Sequence, residues 1–279
     1  MKLQHSLATA FRSGKPLSIL LVASLWIGAV QAQNTNAPKA PAAELPAVAQ
    51  YPKSDDLFPG KGPAQKGDWF VKAWTERRAE FWRHHEQDKG AVVFLGDSIT
   101  QGWTGLAHDF PDLKTANRGI SGDTTRGILY RLKEDVVDLG PEAVVLLIGT
   151  NDIQIGATPE EVADNMREIL AALRKAYPKM PVIVCKVMPS DASKSRPADK
   201  IIALNALVDG LVKADPRLIG CDTWSIFANA DGNCTREEFP DLLHPNRLGY
   251  AKWTTALKPI FAQLELRKEK PEAAPAAGN

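Results

Sequence analysis

The chain has 279 residues, 44% of them hydrophobic and 24% charged, proportions that exclude a disordered, fibrous or polytopic membrane protein. A net charge of +1, made of interleaved acids and bases, gives no field that would gather nucleic acid or an anionic membrane surface. Three cysteines, Cys185, Cys221 and Cys234, are too few for a disulfide framework.

Lys2, Arg12 and Lys15 precede an apolar run at residues 17–30, and Val30-Gln31-Ala32 ends it with the small residues of a cleavage site. The run is shorter than the ~20 residues that span a bilayer. Residues 1–32 are therefore read as a removable export signal that leaves no stable membrane insertion, and the expected location is secreted or periplasmic. Residues 33–60, which begin rich in Ala, Pro, Asn and Gln, read as a flexible linker. One domain is expected over residues 61–266, followed by a disordered tail over 267–279.

Within the domain, the aromatic-rich stretch 69–85 predicts a helix ahead of the first strand. Residues 91–95, 143–148 and 181–187 are continuous apolar runs, the pattern of parallel strands buried on both faces. Residues 114–118 and 217–222 are weaker strand candidates. Thr158-Pro159-Glu160-Glu161 combines an N-cap, a first-turn proline and a capping-box glutamate, predicting a helix to about Tyr177. Apolar residues at 201, 204, 207, 208 and 211 form a helical stripe within 199–214. Asn246 caps a last helix running through Leu264. Alternation of this kind predicts a doubly wound α/β sandwich, in which functional groups gather at the carboxyl ends of the strands.

Four polar segments fall there. Gly96-Asp97-Ser98-Ile99-Thr100 follows the first strand, Asn117-Arg118-Gly119-Ile120-Ser121-Gly122-Asp123 the second, and Gly149-Thr150-Asn151-Asp152 the third. Asp241-Leu242-Leu243-His244-Pro245 precedes the last helix. A serine hydroxyl becomes a nucleophile once a base takes its proton. His244 is the natural base for Ser98, and Asp241, three residues earlier, can hold the other ring nitrogen. An oxyanion formed at the substrate needs preorganised donors. The backbone N–H of Ser98, the backbone N–H of Gly122 and the side-chain amide of Asn151 are placed to supply them. Each segment alone is a common turn, and it is their conjunction in order at successive strand ends that points to chemistry. His84 and His85 on a charged helical stretch, and His108 before Pro111, are expected at the surface. Asn229, Asp231 and Asn233 hint at a calcium loop, but Cys234 stands where glycine is needed and Pro240 where the closing glutamate belongs, so a turn is expected. No cofactor or metal is expected. Cys185 reads as a buried thiol, while Cys221 and Cys234 are left open between free thiols and a pair.

The order Gly-Asp-Ser98, Gly122, Gly-Thr-Asn151-Asp and Asp241-x-x-His244 resembles the SGNH hydrolase superfamily. Residues 117–131, 149–152 and 242–252 are similar to the platelet-activating factor acetylhydrolase catalytic-subunit branch, within a likeness over about residues 90–262. The resemblance implies a flavodoxin-like, five-stranded parallel sheet of order 2-1-3-4-5, an open groove and no metal. It also implies Ser98 as nucleophile, Asp241 and His244 as its partners, and Ser98, Gly122 and Asn151 as the oxyanion hole. Ile99 replaces the commoner leucine, Arg118 stands where that branch often has an aromatic, and Ser121 where it often has glycine. The last two changes are expected beside the oxyanion hole, where they would bear on substrate, and the export signal departs from that intracellular mammalian branch. The implied activity is a serine esterase that removes short acyl groups, acetyl foremost, from O-acylated carbohydrate or short lipid esters. The implied partner is a small-molecule or polysaccharide ester, and the sequence sets no oligomeric state. One rival is an O-acyltransferase using the same groups. A non-catalytic carbohydrate-binding module is a second, disfavoured because it needs no Ser98, Asp241 and His244. A nucleotide binder is disfavoured because residues 96–102 lack the Gly-Lys-Ser/Thr ending of a phosphate loop and neither they nor 117–123 match G-x-G-x-x-G.

Overall fold

Five short runs pair in parallel: β1 (Val92–Gly96), β2 (Thr115–Gly119), β3 (Ala143–Leu147), β4 (Val182–Cys185) and β5 (Leu218–Cys221), all but β2 largely apolar. Their order is β2-β1-β3-β4-β5, as the resemblance implied. This computed structural model describes residue 47, residues 50–264 and residue 266. The expected export signal and the tail at 267–279 lie outside the described residues, as does most of 33–49.

Side chains alternate across the sheet because successive residues of a strand point to opposite faces. Val93 and Leu95 of β1, Val144 and Leu146 of β3, and Val182 and Val184 of β4 share one core. That core is closed by α4 (Thr125–Asp135), α6 (Pro159–Ala176) and α7 (Ala198–Ala214) through Ile128, Met166, Ile169, Leu204 and Val208. Val92, Phe94, Val145 and Ile183 face the other way, onto Trp253, Leu257 and Phe261 of α8 (Arg247–Ala262). Trp103 and Phe110, flanking α3 (Leu106–Asp109), complete that second core. Two short helices, α2 (Ser98–Gln101) and α5 (Thr150–Gln154), begin where β1 and β3 end. A smaller aromatic cluster of Phe70, Trp74, Phe81 and Ile120 seats α1 (Asp68–Arg83) on the domain.

The capping box of α6 forms as its sequence predicted: Glu161 N–H donates to Thr158 Oγ1 at 3.2 Å and Thr158 N–H to Glu161 Oε2 at 2.9 Å. Helix α4 was not expected. Its inward face carries Arg131 and Asp135, which break the apolar stripe. Arg131 is fully buried, paired with Asp123 Oδ2 at 2.8 Å, and donates to the Gly96 and Arg118 carbonyls at 3.2 and 2.9 Å.

Residues 50–60 also differ from the flexible linker expected of them. Arg126 on α4 donates to the carbonyls of Asp55, Phe58, Pro59 and Gly62 at 3.0, 2.6, 3.2 and 2.7 Å. Tyr51 packs edge-on against Trp74, with ring centroids 5.2 Å apart, and Phe58 lies 5.2 Å from Tyr130. The anchor comes from a helix about 70 residues away, which a local reading of composition does not see. The three cysteines are free and buried. Cys221 stands opposite Cys185 across the β4–β5 register, and no pair joins it to Cys234. The 229–233 segment is a turn closed by Asn229 Oδ1, which accepts from the N–H groups of Asp231 and Asn233 at 3.0 and 2.9 Å. Among the described residues, no helix is long and apolar enough to cross a membrane.

Candidate active site

The carboxyl ends of β1, β2 and β3 lie level, since Gly96 is in register with both Gly119 and Leu147. Each strand releases its chain into a turn on the same edge. Ser98 opens α2, and Asp97 caps that helix by accepting from Ile99 N–H at 2.9 Å. The loop after β2 is tied to α2 by Ser121 N–H, which donates to Gln101 Oε1 at 2.6 Å. It is tied to α5 by Asp152, which accepts from Thr125 N–H and Oγ1 at 3.1 and 2.5 Å. Gly122 adopts φ +82°, and a Cβ there would lie 2.6 Å from Trp69 Cη2, so the turn beside the cleft requires glycine.

The turn before α8 completes the arrangement. Asp241 Oδ1 accepts from the N–H groups of Leu243 and His244 at 3.1 and 2.8 Å. Its Oδ2 accepts from His244 Nδ1 at 2.6 Å. With that proton committed, His244 Nε2 is left to accept from Ser98 Oγ, 2.9 Å away. Leu242 between them takes φ +64°, a left-handed conformation that costs a branched residue roughly 1–2 kcal/mol. The strain is held by Leu242 N–H donating to Phe239 O at 2.8 Å and by Ser190 Oγ donating to Leu242 O at 2.9 Å.

Asn151, buried on α5, donates from Nδ2 to Asp123 O at 3.0 Å. Its Oδ1 accepts from Arg196 Nη2 at 2.8 Å, which together with the Asp123 bond fixes which way the amide faces. Ser98, Gly122, Asn151 and His244 line one cleft of about 420 Å³ together with Gln65, Trp69, Ser121, Gln154, Ile155, Arg196 and Leu243. Gln65, Trp69, Gln154 and Arg196 were not singled out from sequence, because nothing local marks them and only the tertiary fold brings them here. Arg118 is a correction. Its side chain does not face the cleft but is buried beneath α1, 2.7 Å from Asp88 and with its guanidinium 4.7 Å from the Phe81 ring centre. His84 and His108 are exposed and His85 lies tilted beside Trp82, with ring centres 5.6 Å apart, and none of the three lines this cleft.

Burial dominates the electrostatics beneath the cleft. It pushes the Asp97 carboxyl up to about 7, against the Ile99 hydrogen bond and the Arg196 charge. It pushes Asp152 up to about 6, against the Thr125 hydrogen bonds. For Asp241 partial burial is outweighed by hydrogen bonds from His244 and Leu243, and its carboxyl is held at about 2, an ionised partner for the imidazole. A carboxyl raised on folding carries a penalty that grows as pH climbs from its unfolded value, ~3.9, toward its folded one. Asp97→Asn, which keeps the cap acceptor, should therefore raise the melting temperature by a margin that widens between pH 4 and 7 and then levels. Melting curves at pH 4, 5.5, 7 and 8 check this, and a margin that shrinks with pH would contradict it.

A five-stranded parallel sheet of this order between helical layers, with a hydroxyl at the end of β1 facing an imidazole and a carboxylate from the turn before α8, is the arrangement of an SGNH-type hydrolase. Residues 94–252 match the GDSL-like lipase/acylhydrolase family, and the chain belongs to that family and is a carboxylic ester hydrolase. The human platelet-activating factor acetylhydrolase IB subunit alpha2 is 31% identical over 71% of this chain and 87% of its own length. The human alpha1 subunit is 29% identical over 72% and 88%. Among solved structures, a Streptococcus pneumonia protein aligns at a TM-score of 0.63, 23% identical, over 69% of this chain and 94% of that one. A GDSL-like lipase from Bacteroides thetaiotaomicron aligns at 0.57, 24% identical, over 66% and 97%.

Proposed function

We propose that this protein is an exported serine esterase, with residues 1–32 as its removable signal, that cleaves short acyl groups, acetyl foremost, from O-acylated carbohydrate. The observation that carries the chemistry is the unbroken line Asp241–His244–Ser98 ending at the cleft. His244 takes the Ser98 proton as Oγ attacks the ester carbonyl. The oxyanion that forms is met by the N–H groups of Ser98 and Gly122 and by the Asn151 side-chain amide. His244, now charged beside ionised Asp241, gives its proton to the departing alcohol and leaves an acyl group on Ser98. Water, deprotonated by the same imidazole, attacks that acyl carbonyl and restores the serine.

A short acyl group suits a cleft whose large apolar lining residues are Trp69, Ile155 and Leu243. The acetylhydrolase relatives favour acetyl as well. The amides and hydroxyl of Gln65, Gln154 and Ser121 in the lining, together with export, favour a carbohydrate alcohol over a short lipid. Assays of purified protein on a series of esters of rising acyl length should give the highest kcat/KM for acetyl and a fall at each lengthening. Acetate should be released with no sugar acceptor present. A maximum at long chains would overturn the acyl assignment, and turnover that requires an acceptor would assign the acyltransferase reading instead.

A further inference from the structure

The cleft has a wall from outside the matched family segment. Gln65 and Trp69 precede residue 94, yet line the same cleft as Ser98 and His244. Trp69 is 59% exposed, whereas its neighbour Phe70 is buried and holds the indole edge-on at 5.8 Å between ring centres. The indole reaches the backbone of Gly122, where a Cβ would come 2.6 Å from Cη2. An open aromatic face is thus set beside one of the three proposed oxyanion donors. The wall is fixed in place by the Arg126 bonds to residues 55–62 and by Tyr51 Oη, which donates to Gln65 O at 2.6 Å.

The same lining carries Gln65, Ser121 and Gln154, which bring amides and a hydroxyl to the cleft, and the indole is 59% exposed. An acyl chain gains most where apolar walls enclose it. A flat, exposed π face bordered by hydrogen-bonding groups fits a different body, one with polarised C–H bonds on its faces and hydroxyls around its rim. A pyranose ring has that shape. We propose that Trp69 and Gln65 form an alcohol-side subsite that stacks a pyranose ring of an O-acetylated sugar and hydrogen-bonds its hydroxyls. This rests on the ester-hydrolase reading above and adds the group that recognises the alcohol.

Two acetate esters separate the possibilities: an acetylated xylo-oligosaccharide, and triacetin, which carries no ring. In Trp69→Ala the ratio of kcat/KM for the sugar ester over triacetin should fall about tenfold, the scale of one aromatic stacking contact, and mostly through KM. Trp69→Phe should recover part of the ratio, and Gln65→Ala should lower it by less. Binding of the deacetylated oligosaccharide to Ser98→Ala protein, followed by calorimetry, reads the subsite without turnover and should weaken when Trp69→Ala is added. A ratio unmoved in Trp69→Ala, with losses equal on both esters, would overturn the subsite and leave Trp69 as a buttress for Gly122. Oligosaccharide binding that ignores Trp69 would overturn it too. Absence of wild-type turnover on either ester would instead strike the esterase reading, while the calorimetry still decides the subsite.

Discussion

Ser98→Ala should fold like the wild type and lose ester turnover by about 10³-fold or more, because nucleophile and base act as a unit. The side-chain hydrogen bond given up is the 2.9 Å one to His244, whose side chain is 41% exposed and can turn to water. Stability should therefore barely change while the rate collapses. An organophosphonate should label a single serine in the wild type and none in the variant. Melting curves, kcat and the mass of the labelled peptide check this together. Turnover within tenfold of wild type, or label on another serine, would sink the assignment of Ser98.

Asn151→Ala should lower kcat roughly 10²–10³-fold with little change in KM, since a bond to an oxyanion strengthens only as charge develops. Asn151→Asp should be at least as damaging. A carboxylate would repel that charge and would stand among the buried carboxyls Asp97, Asp123 and Asp152. Arg196 extends the test. Its Nη2 fixes the Asn151 amide at 2.8 Å and also donates to Gln154 Oε1 at 2.9 Å, so it acts as a positioning residue behind the proposed donor. Arg196→Met should cost roughly tenfold in kcat by itself and little more in an Asn151→Ala background, because coupled groups do not add. Additive losses would separate Arg196 from Asn151. A lowered melting point with intact kcat in both Asn151 variants would remove that residue from the chemistry.

Ser98 and Asn151 were legible because each sits just beyond a continuous apolar run, and Asp241 and His244 because they precede a helix capped by Asn246. Val92, Val93, Phe94 and Leu95 announce β1, so the position of Ser98 at its end follows. Helix α6 was marked by three coincident signals around Thr158. Helix α4 lacked such a mark, since its buried Arg131 and Asp135 read as surface charge until Asp123 and the Gly96 carbonyl are seen around them. Arg118 was misplaced for a simpler reason. In β2 it shares the face of Ala116, which packs on the α4 side of the sheet, and strict alternation along that strand already sent it away from the cleft. Gln65, Trp69 and Arg196 carried no local signal at all. Their positions depend on Arg126 reaching back across the chain and on Asn151 offering a carbonyl oxygen.

Ser98 and His244 are 146 positions apart along the chain and 2.9 Å apart in space. One half of this contact opens α2 directly behind the buried strand β1, the other lies in a turn whose Leu242 is in a left-handed conformation. Such turns open at a far lower free energy than the packed strands beneath them. On heating, ester turnover is therefore expected to fail with the release of residues 241–244, ahead of the cooperative melting of β1, β3 and β4; turnover and circular dichroism followed through one temperature ramp check this, and coincident losses would contradict it.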